Sequence, residues 1–333
     1  MKIYAHGGNV KEFSEKLGIK SSEVIDLSSN INFLKPKINI DFNTLDIASY
    51  PDYNTIYESI AKHYGVKKDE LELFNGGSSA IFSLFESLDV KHCTIYAPAY
   101  LEYKRVANLL HVKLAQINRF ENIYETVKKN SFVVFVNPST PDGKYYDLNK
   151  LFKIWKKANA TVLIDESFLE FCGKKSALKK LKKYKKLYIL KSMTKFYSSA
   201  GIRVGALLSN EKNIKKLKKK QALWKLSEFD INYLLEALKD KKFRKKSYKK
   251  NRENKEYLEE ILLSSQNFEK VYKSDANFIM AKLKRLSAKE FQEKLQKHRV
   301  MVRDCSNFDF LDESYVRIAV KRKKDMKVLN EKY

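Results

Sequence analysis

Between about residues 70 and 210, short apolar segments alternate with segments of helical periodicity, such as Ala80–Leu88, Leu101–Leu110 and Leu148–Lys157. This alternation is typical of an α/β domain, in which a mainly parallel sheet lies between helices and ligands bind at the carboxyl ends of the strands. The apolar segments predict six strands: Leu71–Phe74, Cys93–Tyr96, Phe132–Val136, Thr161–Ile164, Leu187–Leu190 and Val204–Leu208.

Two of these predicted strands are followed by side chains that suit a covalently bound cofactor. Lys195 follows the fifth strand, with Ser192 before it and Arg203 after it, and Asp165 directly follows the fourth strand. A lysine that forms a Schiff base, a carboxylate for a ring nitrogen and a hydroxyl–guanidinium pair for a phosphate are together what pyridoxal phosphate requires. Taken alone, the lysine is also compatible with a surface loop, and the aspartate with a cap at its strand end.

A third motif, Gly76-Gly77-Ser78, follows the first predicted strand and begins a helix. The free backbone N–H groups at a helix N-terminus bind phosphate well. Glycine-rich turns are common, so this motif indicates a phosphate site only in combination with Ser192 and Arg203.

The net charge of +26 raises the question of a polyanionic partner. The excess cations are spread over lysine pairs, mostly on segments predicted to be amphipathic helices with a solvated face, such as Ala177–Lys186 and Asn213–Lys220. No RNP-like aromatic cluster, zinc finger or helix-turn-helix signature accompanies them, so no nucleic acid partner is predicted. The charge still favours attraction of a small anionic substrate.

The chain of 333 residues is long enough for one large domain and a smaller one. Its three cysteines, Cys93, Cys172 and Cys305, stand far apart without metal-ligand spacing, which predicts reduced thiols and no metal site. No apolar N-terminal run or membrane-length apolar segment is present, so a cytoplasmic location is expected, away from the membrane.

Three structural units are predicted along the chain. Residues 1–40 form an N-terminal segment that packs with the smaller domain, and residues 41–230 form the large cofactor-binding domain. Residues 231–333 form the small C-terminal domain, an α+β unit with apolar runs at Phe278–Met280, Val300–Val302 and Tyr315–Val320. Helices are predicted to fill residues 211 to about 262.

Read in order, these motifs resemble the fold-type-I pyridoxal-phosphate enzymes of the class I/II aminotransferase group. The resemblance covers nearly the whole chain and is greatest for the threonine-phosphate decarboxylase branch of cobalamin biosynthesis, a relative of the histidinol-phosphate aminotransferases. Four segments carry the likeness to that branch: His6–Asn9, Asp26–Asn32, Asp165–Phe171 and Arg303–Phe308.

The resemblance implies a role for each matching residue. Lys195 would hold the cofactor covalently and move protons at the substrate Cα, while Asp165 would bind the protonated ring nitrogen. Tyr100 would stack on the ring. The phosphate cup would comprise Gly76, Gly77, Ser78, Ser192 and Arg203, with Tyr50 reaching in from the partner subunit of a homodimer with shared active sites. The substrate would be bound by His6, Asn32, Arg303 and Arg317.

Two positions depart from the family pattern. Thr140, in Asn137-Pro138-Ser139-Thr140, stands where the family has an asparagine that contacts the cofactor's phenolic oxygen, and Phe168 replaces a tyrosine donor to the same oxygen. Phenylalanine at that place is usual in the decarboxylase branch. The prediction is therefore decarboxylation of an O-phospho-L-amino acid, phosphothreonine or phosphoserine, to an amino-alcohol phosphate and CO₂.

Two alternatives remain open from sequence alone. An aminotransferase acting on histidinol phosphate or a similar phosphorylated amine would need the same cofactor residues. A non-catalytic, basic nucleic-acid-binding protein on a vestigial enzyme fold is disfavoured by the presence of Lys195, Asp165 and Arg203.

Overall fold

A seven-stranded sheet dominates the computed structural model, which describes residues 7–331. Its strand order is β2-β8-β7-β6-β5-β3-β4, and all strands are parallel except β8, which runs antiparallel to both of its neighbours. This confirms the predicted α/β fold with a mainly parallel sheet. The strands are β2 Leu71–Asn75, β3 His92–Ala97, β4 Lys113–Asn118, β5 Phe132–Val136, β6 Thr161–Asp165, β7 Leu187–Ser192 and β8 Val204–Leu208.

The remaining strands form a four-stranded antiparallel sheet and a separate parallel pair. The antiparallel sheet has the order β12-β13-β10-β9. The pair joins Ile25–Asp26 to Val300–Met301, so the N-terminal part of the chain is hydrogen-bonded to its C-terminal part. These strands are β1 Ile25–Asp26, β9 Phe268–Val271, β10 Phe278–Leu283, β11 Val300–Met301, β12 Arg303–Asp304 and β13 Tyr315–Ala319.

Helices cover both faces of the large sheet and link it to the small one. The longest, Lys241–Ser264, contacts β9 and β10 and also the turn at Leu169–Phe171, so it spans the two sheets. The helices are α1 Val10–Leu17, α2 Asn54–Tyr64, α3 Gly76–Ser87, α4 Glu102–Leu109, α5 Asn149–Lys157, α6 Met193–Phe196, α7 Glu211–Lys218, α8 Glu228–Lys239, α9 Lys241–Ser264, α10 Ala288–Gln296 and α11 Lys323–Met326.

Apolar side chains bury the large sheet on both faces. Trp155 of α5 packs with Phe135 of β5 on one face, while Phe85 of α3 packs edge-on against Phe132 of β5 on the other. Because successive residues of a strand point to opposite faces, β5 contributes to both clusters, which explains its uninterrupted apolar sequence.

Two features differ from the sequence-based prediction. Strand β4 was not among the six predicted strands, because it lies at the edge of the sheet and mixes Lys113 and Gln116 with its apolar residues. The predicted helix Ala177–Lys186 is wrong, since the structure has only a 3₁₀ turn at Ala177–Lys180 followed by turns. Glu166 accepts hydrogen bonds from the Ala177 N–H and the Ser176 hydroxyl, and so ties down the start of this short segment. Within residues 7–331, no helix combines the length and the apolar character needed to cross a membrane.

Candidate active site

A cavity of about 400 Å³ opens at the carboxyl ends of the parallel strands, between the large sheet and the small one. Gly77, Ser78, Asp165, Ser192 and Lys195 line it from the large sheet. From the other side it is lined by Arg303, Phe308 and Arg317, together with the N-terminal residues Gly7, Gly8 and Ser28 to Ile31.

Lys195 lies on the short helix α6, directly after β7. Its Nζ is 3.4 Å from the Ser192 hydroxyl oxygen and 5.2 Å from the centre of the Phe168 ring. Burial lowers the pKa of the Lys195 amine, and the cations Arg203 and Arg317 lower it further, while Asp165 opposes them. The amine is thus closer to its neutral, nucleophilic form than an ordinary lysine would be.

Asp165 is the last residue of β6, next to β7 in the sheet. One carboxylate oxygen, Oδ2, accepts a 2.8 Å hydrogen bond from the Tyr103 hydroxyl, and the other, Oδ1, accepts bonds from the Ser167 N–H and hydroxyl. Burial raises the pKa of Tyr103 well above its usual value, and the nearby Asp165 charge adds to this effect. Tyr103 therefore stays a proton donor that holds the carboxylate in place.

Sequence reasoning missed both partners of this carboxylate. The Asp-x-Ser spacing of Asp165 and Ser167 is a local signal, because an aspartate readily bonds the residue two positions on. No local signal identifies Tyr103, which lies on α4 and is separated from Asp165 by 62 positions.

The N-terminus of α3 and Arg203 together form a concave, positively charged site. Gly76 has φ +80°, and a Cβ there would lie 2.5 Å from Arg203 Nη2. A Cβ on Gly205 would lie 2.6 Å from the Gly76 carbonyl carbon. Only glycine lets β8 and the guanidinium approach the helix start so closely. The unbonded N–H groups of the first helical turn and the adjacent guanidinium fit a phosphate group.

Two hydroxyls border this site. Ser192, after whose backbone α6 begins, lies beside Gly77, and Ser78 Oγ is 3.2 Å from the hydroxyl oxygen of Tyr100. Two hydrogen bonds fix the position of Arg203: its Nη1 donates to the Ala200 carbonyl, and its backbone N–H donates to the Asp230 carboxylate. Gly76 does not itself line the cavity, but it shapes the site through its contact with Arg203.

Arg317 lies on β13 and is buried at the opposite wall of the cavity. Its Nη1 donates to the Thr140 hydroxyl and its Nη2 to the Ser28 carbonyl, both at 3.1 Å, while its buried Nε has no hydrogen-bond partner among the described residues. Burial lowers the pKa of the guanidinium to about 10. Thr140 thus contacts Arg317, at the place where the family pattern has an asparagine.

Arg303 lies on β12, paired directly with Arg317 across the antiparallel ladder. Its Nη2 donates to Asn307 Oδ1 at 2.7 Å and its Nη1 donates to the Asp304 carbonyl. Neither arginine forms a salt bridge with any carboxylate in the part of the chain that the structure describes. Buried cations are normally paired with anions, so a bound anion would stabilise these two arginines.

Two predicted site residues lie outside the cavity, and a third is not among the described residues. Asn32 does not line the cavity: its amide donates to the Phe196 carbonyl and the Ser247 hydroxyl, and its Oδ1 accepts from the Leu34 N–H. Tyr50 lies outside the cavity of its own chain, 76% exposed. His6 falls outside the described residues.

Asn30, which sequence reasoning did not select, lines the cavity instead, with a buried Oδ1 that has no hydrogen-bond partner within residues 7–331. In the same range, no cluster of histidine, cysteine, aspartate and glutamate side chains has the geometry to hold a metal ion.

One class of pyridoxal-phosphate enzymes has this combination: an α/β domain, a buried lysine of lowered pKa, a carboxylate and a helix N-terminus that can bind a phosphate. The sequence matches the family described as Aminotransferase class I and II over residues 22–332, and the chain belongs to this family. Its members depend on pyridoxal phosphate.

Similar proteins carry two different names. A protein of Caldanaerobacter subterraneus subsp. tengcongensis, provisionally named threonine-phosphate decarboxylase, is 32% identical, over 99% of this chain and 93% of its own. The histidinol-phosphate aminotransferase of Methanosphaera stadtmanae is 28% identical, over 99% of this chain and 96% of its own. The crystal structure of histidinol-phosphate aminotransferase from Clostridium acetobutylicum superposes with a TM-score of 0.81 at 29% identity, over 91% of this chain and 96% of that one.

The residues present fit the cofactor of this family. Glycine at positions 76 and 205 lets Arg203 and β8 approach the start of α3, where a phosphate would bind, and Asp165 supplies a buried, anchored carboxylate of the kind that a ring nitrogen would need. The lowered pKa of Lys195 suits attack on the cofactor's aldehyde.

Proposed function

We propose that this enzyme decarboxylates an O-phospho-L-amino acid, with phosphothreonine and phosphoserine as the candidate substrates. The observation that carries the proposal is the pair of buried arginines, Arg303 and Arg317, that face the cavity without a carboxylate partner within residues 7–331. Arg203 would serve the cofactor's phosphate site, so two guanidinium groups remain for the doubly charged phosphate of a substrate. A phospho-amino acid carries both a carboxylate and a phosphate.

The charges that line the cavity support this substrate class. Arg203, Arg303 and Arg317 are cationic, whereas Asp165 is the carboxylate among the described lining residues. Guanidinium groups bind phosphate and carboxylate oxygens through paired, charge-assisted hydrogen bonds. The unpartnered Nε of Arg317 is one such donor.

The residues of the chain divide the chemical work. When bound, the cofactor supplies an electron sink for a bond broken at the substrate Cα. Asp165, held by Tyr103, would keep the proton on the ring nitrogen, and the cup at Arg203 would bind the cofactor phosphate. Tyr100 and Phe168 would cover the ring from water. Lys195 would deliver the proton to Cα after the bond to the carboxylate breaks and CO₂ leaves.

Which bond breaks depends on how the arginines orient the substrate. When bound, the cofactor would take up the electrons of the Cα bond that the arginines hold perpendicular to its ring plane. Anchoring the side-chain phosphate at Arg303 and Arg317 would leave the carboxylate free to take that perpendicular position. Anchoring the carboxylate itself would favour loss of the Cα proton instead.

The second candidate is an aminotransferase for histidinol phosphate or a similar phosphorylated amine. The 29% identical solved structure and the Methanosphaera relative, both histidinol-phosphate aminotransferases, support it. One arginine would bind the phosphate of the phosphorylated amine. The other would bind the carboxylate of the second substrate, the acid that exchanges the amino group.

We also propose that the active enzyme is a homodimer in which Tyr50 completes the neighbouring site. Tyr50 stacks on Trp224 with 4.2 Å between ring centres, and the exposed side chains of Ile47, Leu223 and Phe229 are also apolar. Contiguous apolar surface of this kind marks protein interfaces. Light scattering should give twice the chain mass, and Trp224→Glu should lower that mass and the activity together.

The direct test incubates the cofactor-loaded protein with O-phospho-L-threonine and, separately, O-phospho-L-serine in the absence of keto acid. Release of CO₂ with amino-alcohol phosphate establishes decarboxylation, and the ratio of rates identifies the substrate. L-threonine, which lacks the phosphate, is the matched control and should react far more slowly. Conversion of the cofactor to its aminated form by histidinol phosphate, without CO₂ release from either phospho-amino acid, would establish the aminotransferase instead.

A further inference from the structure

Asp309 links a loop of the small sheet to the large sheet and to helix α4. It lies in the loop between β12 and β13, and its two carboxylate oxygens have different partners. Oδ1 is 2.5 Å from Lys104 Nζ on α4, and Oδ2 accepts a 2.6 Å hydrogen bond from the Gln116 amide on β4. A carboxylate bound in this way by helix α4 and by strand β4 of the large sheet fixes the position of the loop relative to that sheet.

The residues just before Asp309 hold Arg303. Asn307 accepts the 2.7 Å bond from Arg303 Nη2, and the Arg303 guanidinium carbon lies 5.2 Å from the centre of the buried Phe308 ring. Phe308 and Arg303 both line the cavity. A shift of the loop would therefore move the hydrogen-bond acceptor and the ring that orient this guanidinium.

We propose that Asp309 is a positioning residue for the anion site: by bridging to Lys104 and Gln116, it keeps Asn307 and Phe308 where they aim Arg303 into the cavity. This inference rests on the proposed function in one respect, namely that the ligand of Arg303 is an anionic phosphate group. It adds that selection of phosphorylated substrates depends on a contact between the two sheets, outside the cavity itself.

The partial exposure of this ion pair limits what it contributes to stability. Lys104 and Asp309 side chains are 40% and 21% exposed, so their ion pair by itself contributes little to overall stability. The same contact has a large effect on the position of the Arg303 guanidinium. This position matters because bidentate recognition of an anion tolerates little displacement of the guanidinium. Loss of the contact should accordingly weaken anion binding more than folding.

The test compares Asp309→Ala with Asp312→Ala in the cofactor-loaded protein. Asp312 lies on the same loop but bonds only locally, to the N–H and hydroxyl of Ser314. Binding of inorganic phosphate is measured by calorimetry, and KM and kcat are measured with O-phospho-L-threonine. Asp309→Ala should weaken phosphate binding and raise KM by about tenfold, the size of one lost charge-assisted contact, with kcat changed by less than about twofold. Asp312→Ala should leave all three unchanged.

A second set of variants separates positioning from loss of structure. Lys104→Met should give part of the Asp309→Ala defect, and the double variant should be no worse than Asp309→Ala alone, because both remove one interaction. Asp309→Asn, which can still bond Gln116, should restore part of the phosphate affinity. Phosphate binding by Asp309→Ala equal to that of the unchanged protein, or an equal loss in Asp312→Ala, would overturn the inference.

The phosphate measurement also distinguishes this inference from the proposed reaction. If the unchanged protein releases no CO₂ from O-phospho-L-threonine but binds phosphate, and Asp309→Ala weakens that binding, the reaction assignment fails and the positioning role stands. If CO₂ is released normally and Asp309→Ala changes neither phosphate binding nor KM, the positioning role fails alone.

Discussion

The two walls of the cavity are built in different ways. The wall proposed to hold the cofactor, called the cofactor wall below, consists of residues at the ends of neighbouring parallel strands: Asp165 ends β6, and Lys195 follows β7 closely. The opposite wall brings Arg303 and Arg317 together by antiparallel pairing of β12 with β13 and adds contacts from distant Thr140 and Ser28. The first wall depends on strand order, and the second depends on how two sheets meet.

The walls also differ in how far their charges are satisfied. Both oxygens of Asp165 accept hydrogen bonds from protein groups. Arg303 and Arg317 are buried without a carboxylate, and Arg317 Nε is unbonded within the described residues. The carboxylate of the first wall is thus satisfied before any ligand binds, whereas the two arginines of the other wall reach their most stable state only with an anion.

The largest expected effect lies on the cofactor wall, at Lys195. Lys195→Ala should lower kcat by at least about a thousandfold, because it removes both the covalent attachment and the proton transfer, which alone contributes about 10²–10⁴-fold. The measurement is single-turnover CO₂ release, with exposed Lys212→Ala as the control. A loss below tenfold would contradict the role of Lys195.

On the opposite wall, Arg317→Met should reduce kcat/KM for the phosphorylated substrate by about a hundredfold. Truncating one partner of a buried charge pair costs about 2–5 kcal/mol in binding. Without ligand, however, the thermal midpoint should stay the same or rise, since a buried cation lacking a carboxylate partner is removed. Arg322→Met, which removes an exposed arginine, is the control for the change in charge. A clear fall in the thermal midpoint of Arg317→Met would show that Arg317 is already stabilised by the protein without ligand.

A smaller effect is expected at Tyr103, which holds Asp165. Tyr103→Phe should weaken cofactor binding or kcat by about tenfold, because a hydrogen bond to a buried charge contributes about 1.5–3 kcal/mol. Cofactor affinity is measured by fluorescence titration. Tyr188→Phe, the same change on β7, should have no such effect, and equal losses in both variants would indicate a general packing defect.

The smallest effect is a shift in pH dependence that links the two walls. Burial mainly, and Arg203 and Arg317 in addition, lower the pKa of Lys195. Arg317→Met removes one of these cations, so the pKa should rise and the neutral amine should appear at higher pH. The rate at which cofactor-free protein takes up pyridoxal phosphate should then reach its midpoint at higher pH than in the unchanged protein. A shift to lower pH would contradict the assigned influence of Arg317.

Much of the cofactor wall was predictable from local patterns. Apolar segments of strand length followed at once by Asp165 and by Ser192 to Lys195 indicate polar groups at one sheet edge, since parallel strands end at the same edge. Edge strand β4 escaped prediction because its mixed side chains lack an apolar run. The opposite wall was harder to predict: Asn32 was expected to lie in the site, but its amide donates to Phe196 and Ser247, and Asn30 lines the cavity.

The sequence by itself determined the α/β class and the family likeness, and it predicted the lysine, the carboxylate and the phosphate cup from short segments that each follow an apolar strand. Only the tertiary structure decided that Tyr103 holds Asp165, that Thr140 bonds Arg317, and that Asp309 joins the loop of Arg303 to α4 and β4. These contacts join residues far apart in the chain. Their formation depends on the packing of whole elements and on the need of buried polar groups for partners, which no local sequence pattern records.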